Sequence, residues 1–133
     1  AGLLLYAGQF EKASTASKVA IQYTNPGNQH YEYALFGLIQ VRLEKIQEAR
    51  NAFYTSLDHA AELLENTPNL YSPKYSRGLA LMGLALVTSD TSYVEDSKLA
   101  YIEARKNCDA KGIVRREDKK LKLLTWGIDG GEE

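Results

Sequence analysis

The groups in this chain best able to ligate a metal or attack a substrate are His30, His59 and Cys108, its two histidines and single cysteine. His59 and Glu62 stand three residues apart, a spacing that puts an imidazole and a carboxylate on one helix face, as in carboxylate metal bundles. Such a centre needs the pair twice, with further carboxylates facing it, and only one copy is present. No metal is expected, and the pair reads as an ordinary helix-surface feature. Cys108 follows Ala104 by one helical turn on an apolar stripe, with no histidine near it in sequence, which fits a packed thiol rather than an activated thiolate. The chain lacks a glycine-rich phosphate loop, a nucleophile elbow and a paired-carboxylate signature. No catalytic residue, no cofactor and no enzyme activity are expected.

The other chemically distinct stretch is basic. Between Lys98 and Lys122 the chain has nine basic and four acidic residues, whereas the first 97 residues have seven and ten. Arg115, Arg116, Lys119, Lys120 and Lys122 recur at helical spacing, so part of this charge shares one flank. Glu117 and Asp118 interrupt the run and aromatic residues are sparse within it, so nucleic acid is not the expected partner. A solvated helix face and contact with an acidic protein are the other readings. The net charge of −1 offers no whole-molecule field for a polyanion or a membrane surface.

These residues must be positioned by helices. From Tyr31 to Leu64 two amphipathic runs sit back to back, reading as one helix-turn-helix hairpin. Tyr33, Phe36, Gly37 and Ile39 to Val41 mark the first helix. Ile46, Ala49, Phe53, Leu57, Ala60 and Leu64 recur at three- and four-residue steps in the second. The small residues Gly37, Ala49 and Ala52 let the backbones approach, and Tyr33, Phe36 and Phe53 fill the space between them.

This pattern resembles the tetratricopeptide repeat, in which an aromatic, a leucine-type and a small residue on one helix precede a small-aromatic-small series on the next. Tyr33, Phe36 and Gly37 match the first helix, and Ile46, Ala49, Phe53 and Ser56 the second. Gly8, Phe10, Ala13, Ser17 and Ala20 match a turn glycine and second helix upstream. Leu79, Met82 and Gly83 match a first helix downstream, and Tyr93, Ser97, Tyr101 and Ala104 a second helix after a longer turn. The steps from Ala13 to Ala49 and from Ala49 to Ser97 are 36 and 48 residues, against about 34 in the standard unit. Long units ending in a polar helix, here Tyr101 to Leu124, resemble the C-terminal sensor arrays of bacterial and archaeal signal-transduction ATPases. The resemblance implies an all-α fold, a right-handed α-solenoid of antiparallel helix pairs with a C-terminal capping helix.

Breakers set the boundaries. A repeat domain is expected over residues 1–126, with units at about 1–24, 29–66 and 72–108, a cap helix at 113–126 and a frayed tail at 127–133. Asn25-Pro26-Gly27-Asn28 and Thr67-Pro68-Asn69 separate the units. Ser72-Pro73 should open a helix, and Ser92 with Glu95 should form a capping box. Gly8 and Glu44 should occupy the inter-helix turns, and Gly112 should end the fifth helix. Val114, Leu121 and Leu124 form a narrow apolar stripe suited to capping a stack. The apolar runs fall short of the roughly 20 residues that span a bilayer, so no membrane partner is expected. A lone cysteine excludes an internal disulfide and fits a reducing, cytoplasmic compartment. No basic region precedes Ala1 to Ala7, the chain lacks an initiator methionine, and the repeat frame starts mid-helix, so a piece of a longer protein is expected.

The resemblance further implies a protein-interaction module, part of a regulatory or signalling protein, whose concave groove holds an apolar or amphipathic peptide segment or another domain. Carried over to this sequence, the groove positions include Tyr6, Tyr31, Leu38, Arg42, Arg77 and Leu84. Leu38 stands where a carboxylate-clamp asparagine would be, so an apolar segment anchored by Tyr31, Leu38 and Leu84, with Arg42 and Arg77 at its edges, is the expected occupant. The alternative is a structural or self-assembly element whose concave face is filled by its own chain or by a homodimer partner. The repeat register predicts that Ala49→Leu costs about 1 to 3 kcal/mol by overpacking and Phe53→Ala about 3 to 5 by leaving a cavity. Thermal melts check it, with changes at Lys45 or Glu62 as near-neutral controls.

Overall fold

A computed structural model describes residues 2–125, with side chains from Gly8 onward. The expected groove residue Tyr6 and the tail at 127–133 lie outside the described side chains. Among the described residues all regular structure is helical: α1 (Gly2–Tyr23), a 3-10 turn (Pro26–Asn28), α2 (Gln29–Arg42), α3 (Ile46–Asn66), α4 (Tyr71–Thr88), α5 (Ser92–Asn107) and α6 (Lys111–Thr125). None of these helices is long and apolar enough to cross a membrane.

Each helix end has a local cause. Pro26 stops α1, and the Gln29 side-chain amide reaches back to donate to the carbonyls of Ile21 and Thr24, both at 3.0 Å. After α2 the Lys45 amide donates to Gln40 O at 2.9 Å and the Glu44 amide to Val41 O at 3.0 Å. That double closure is a Schellman motif with Glu44 in the left-handed position at φ 60. The expected turn at Gly8 is absent: the glycine lies inside the continuous α1, so the first unit is a single long helix rather than a helix, a turn and a second helix. A helix needs no glycine there, and nothing lies within 4 Å of the Cβ it lacks.

Two further local expectations differ. Helix α4 begins at Tyr71, ahead of Ser72-Pro73, with Leu70 as its N-cap and no side-chain cap. Pro73 then stands third, still among the positions whose N–H has no partner inside the helix. The capping box at Ser92 does not form either. Asp90 Oδ1 instead accepts from the Ser92 amide at 3.0 Å and from Ser92 Oγ at 2.7 Å, while Glu95 turns to Lys98 at 3.6 Å. Gly112 lies in the first turn of α6 instead of ending α5.

Short turns make α2–α3 and α4–α5 neighbouring pairs. Helix α3 also packs on α4, α2 on α4, and α1 on α2. At the centre stands Phe53, fully buried between two glycines of facing helices. A Cβ at Gly37 of α2 would lie 2.5 Å from the Phe53 ring, and one at Gly83 of α4 would overlap the same ring. The second pair repeats the device, with Tyr101 of α5 against Gly78 of α4, where a Cβ would stand 2.7 Å from the ring. Around Phe53 cluster Ala34, Leu38, Ile39, Ala49, Leu79, Ala80, Leu84 and Leu124.

Gly37→Ala and Gly83→Ala are each expected to lower unfolding free energy by about 1 to 3 kcal/mol, overpacking outweighing the better helix propensity. Gly8→Ala, with open space around it, should raise stability by about 0.5 to 1 kcal/mol. Urea denaturation of the three variants checks both signs.

Candidate functional site

The surface formed by α2 and α4 is where the expected groove residues should meet, and α6 lies across it. Helix α6 packs on α2 and α4. Its inward side is Ile113, Glu117, Lys120, Leu121 and Leu124, at steps that return to one helix face. Ile113 and Leu121 pack on Tyr75, Tyr101 and Ala104. Leu124 is 0% exposed and joins the Phe53 cluster with Leu38 (1%) and Leu84 (0%). The expectation that Leu38 and Leu84 anchor a separate segment in an open groove is therefore corrected. Both are buried inside the monomer, in one core that includes Leu124 of the chain's own last helix. Val114, expected on the apolar stripe, stays half-buried on the other flank, and Ile113 takes its place.

The remaining residues divide. Tyr31 is half-buried, and Lys120 Nζ of α6 stands 3.9 Å from its ring centroid, a cation–π contact. Arg42 is half-buried near the end of α2, where burial lowers its pKa and Glu44 opposes that shift. Arg77 is exposed and lines a separate hollow of about 200 Å³ with Leu64, Lys74, Asp96, Leu99 and Glu103. It faces the α3–α5 side, so one groove does not collect Tyr31 and Arg77.

Glu117 and Lys120, read from the sequence only as members of the charged run, lie on the packed side of α6. Glu117 is 6% exposed, a carboxylate on the buried side of an otherwise apolar stripe. Lys120 Nζ bonds it at 3.1 Å and Arg116 Nε at 3.5 Å, so the buried charge is compensated. Lys120 thus ties α6 to itself through Glu117 and to α2 through Tyr31. The signal was present in the spacing: Glu117 falls between Ile113 and Leu124 in the helical register and so shares their face. Beside it a polar pocket of about 400 Å³ opens between α2, α4 and α6, lined by Asn28, Tyr31, Glu32, Ser72, Ser76, Arg116, Glu117 and Lys120.

His30 adjoins this pocket. It is 1% exposed; its Nδ1 lies 2.8 Å from Ser76 Oγ, and its carbonyl accepts from Ser56 Oγ at 2.7 Å. One residue thereby joins α2, α3 and α4. A serine beside an imidazole is also the arrangement of a nucleophile and its base. Burial, however, lowers the His30 pKa from 6.5 to about 4, partly offset by a backbone hydrogen bond with Gly27, with His59 and Lys120 adding to the depression. With both side chains buried, the pair ties α2 to α4. His59 stacks on Tyr33 with centroids 5.7 Å apart, and the described residues hold no cluster of three His, Cys, Asp or Glu suited to a metal.

Compared with known proteins, the sequence matches no family model, no curated protein and no solved structure.

The depressed His30 pKa fixes the sign of a pH effect. The unfolded chain takes up this proton below about 6.5 and the folded chain only below about 4. The neutral, buried form therefore contributes stability that is present above pH 6.5 and lost as pH falls towards 4. At about 1.36 kcal/mol per pKa unit the loss is on the order of 3 kcal/mol. Urea midpoints between these limits should fall, and His30→Gln should flatten that slope.

Proposed function

We propose that the chain is a tetratricopeptide-type scaffold for protein contacts, a right-handed stack of helix pairs whose inner face is filled by its own last helix. One observation carries the reading: Leu124 of α6 shares a single sealed core with Leu38 and Leu84. The stacking of α2, α3, α4 and α5 and the repeated seating of a second-helix ring on a first-helix glycine support the repeat architecture. A chain that covers its own groove meets partners through other surfaces, or through the groove once α6 is lifted. The reading assigns it no catalytic role, since the His30–Ser76 pair beside the polar pocket is a structural tie. Its place in a larger regulatory or signalling protein rests on the family resemblance alone.

Helix α6 holds on through few apolar anchors, and Leu124 is the one fully buried. Leu124→Asp puts a carboxylate into that core and should free the helix, because an isolated 15-residue helix is marginal in water. Amide hydrogen exchange over residues 113–124 should accelerate at least about tenfold, while the amides of α3 and α4 keep their protection. Unchanged exchange in α6 would show that the helix is not held through Leu124, and the reading would fail.

A further inference from the structure

The side of α6 opposite its buried stripe is a ridge of cations. Lys111, Arg115, Lys119 and Lys122 share it and, with Val114, Asp109 and Asp118, line an open hollow of about 570 Å³. None of the four cations is in an ion pair among the described residues, whereas Arg116 and Lys120 are drawn to Glu117. Asp118 is already held by Arg105 at 3.2 Å. The ridge is therefore charged and uncompensated, and at 1.5 Å per residue it runs for about 16 Å.

The matching surface is on α3. Asp58, Glu62 and Glu65 are exposed there, at steps of four and three residues, which keeps them on one helix face. None of these carboxylates makes an ion pair or hydrogen bond among the described residues. Arg115, Lys119 and Lys122 repeat the same four-then-three spacing with the opposite sign. Among the described residues no ion pair joins α3 to α6 within the molecule, so the two ridges are free to meet between molecules.

We propose that the cationic ridge of α6 is a docking surface for the acidic ridge of α3 on a second copy of the chain. Each copy carries both ridges, so the contact closes at a two-fold dimer where both ridge pairs meet at once and propagates from copy to copy where they do not. A single helix-on-helix contact with a polar rim falls at the small end of protein interfaces, so the association is weak and reversible. Steering by charge sets its rate and its salt dependence. A nucleic acid is the less suitable occupant, because Val114 and two carboxylates line the hollow and no aromatic side chain among its lining residues offers a stacking platform.

Sedimentation of the full chain over a range of concentrations tests this. At an ionic strength of about 0.01 M, where charges act over about 30 Å, the mass should rise with concentration above that of one chain. At about 1 M, where they act over about 3 Å, it should return to one chain. Lys119→Glu and Glu62→Lys should each weaken self-association at least about tenfold, with circular dichroism and melting unchanged. Mixing the two variants should restore it, because the carboxylate introduced on α6 of one then meets the ammonium introduced on α3 of the other, while the native pairing serves the opposite contact. A single-chain mass at every concentration in low salt overturns the proposal. So does association that survives both substitutions. Salt-sensitive binding of a single-stranded oligonucleotide, lost with Lys119→Glu in a chain that stays monomeric, assigns the ridge to nucleic acid instead.

Discussion

The seat of the Phe53 ring between Gly37 and Gly83 is the constraint on which the rest depends. Because neither glycine has a side chain, α2 and α4 both close onto one ring carried by α3, and three helices share a single dry contact. Glycine inside a helix costs about 1 kcal/mol of propensity relative to alanine, so two such residues facing one ring are there for packing. Once those three helices are fixed, their spacing sets the width of the α2–α4 surface and hence what can lie across it.

Buried hydrogen bonds then set the register along each interface. Gln40 donates to Ser14 Oγ at 2.8 Å between α2 and α1, and Ser97 Oγ to the Gly78 carbonyl at 2.7 Å between α5 and α4. His30 supplies the same service among α2, α3 and α4. Apolar contact alone tolerates sliding; a buried polar group left unpaired costs about 1 to 3 kcal/mol, so each tie penalises a shifted helix. Helix α6 is held by fewer devices: Leu124 in the core, the Arg105–Asp118 ion pair to α5 and a lysine over Tyr31 of α2.

Much of this was legible in the sequence, for a physical reason. Periodicity reports which side of a helix is buried, so the α2–α3 hairpin, the core role of Ala49 and Phe53 and the breaks near Pro26 and Pro68 could be read directly. Periodicity does not report what covers a buried side. Leu38 and Leu84 read as groove anchors because the core that buries them draws in residues distant in sequence, such as Leu124, 40 residues downstream of Leu84. Gly8 read as a turn because a glycine signals a break only in context, and the neighbours here favour continued helix. Glu117 was passed over because a carboxylate in an apolar stripe is informative only once the cations that compensate it are located.

Helix α6 lies across α2 and α4, and Lys120 offers the most direct reporter of that placement. Its ammonium stands over the Tyr31 ring at 3.9 Å from the centroid. In a proton NMR spectrum of the full chain, the Lys120 ε-methylene should be shifted upfield by the ring current and should show cross-relaxation to the Tyr31 ring protons, both lost in Tyr31→Leu. A Lys120 ε-methylene at the position of a solvated lysine, with no cross-peak to Tyr31, would show that α6 does not lie against α2.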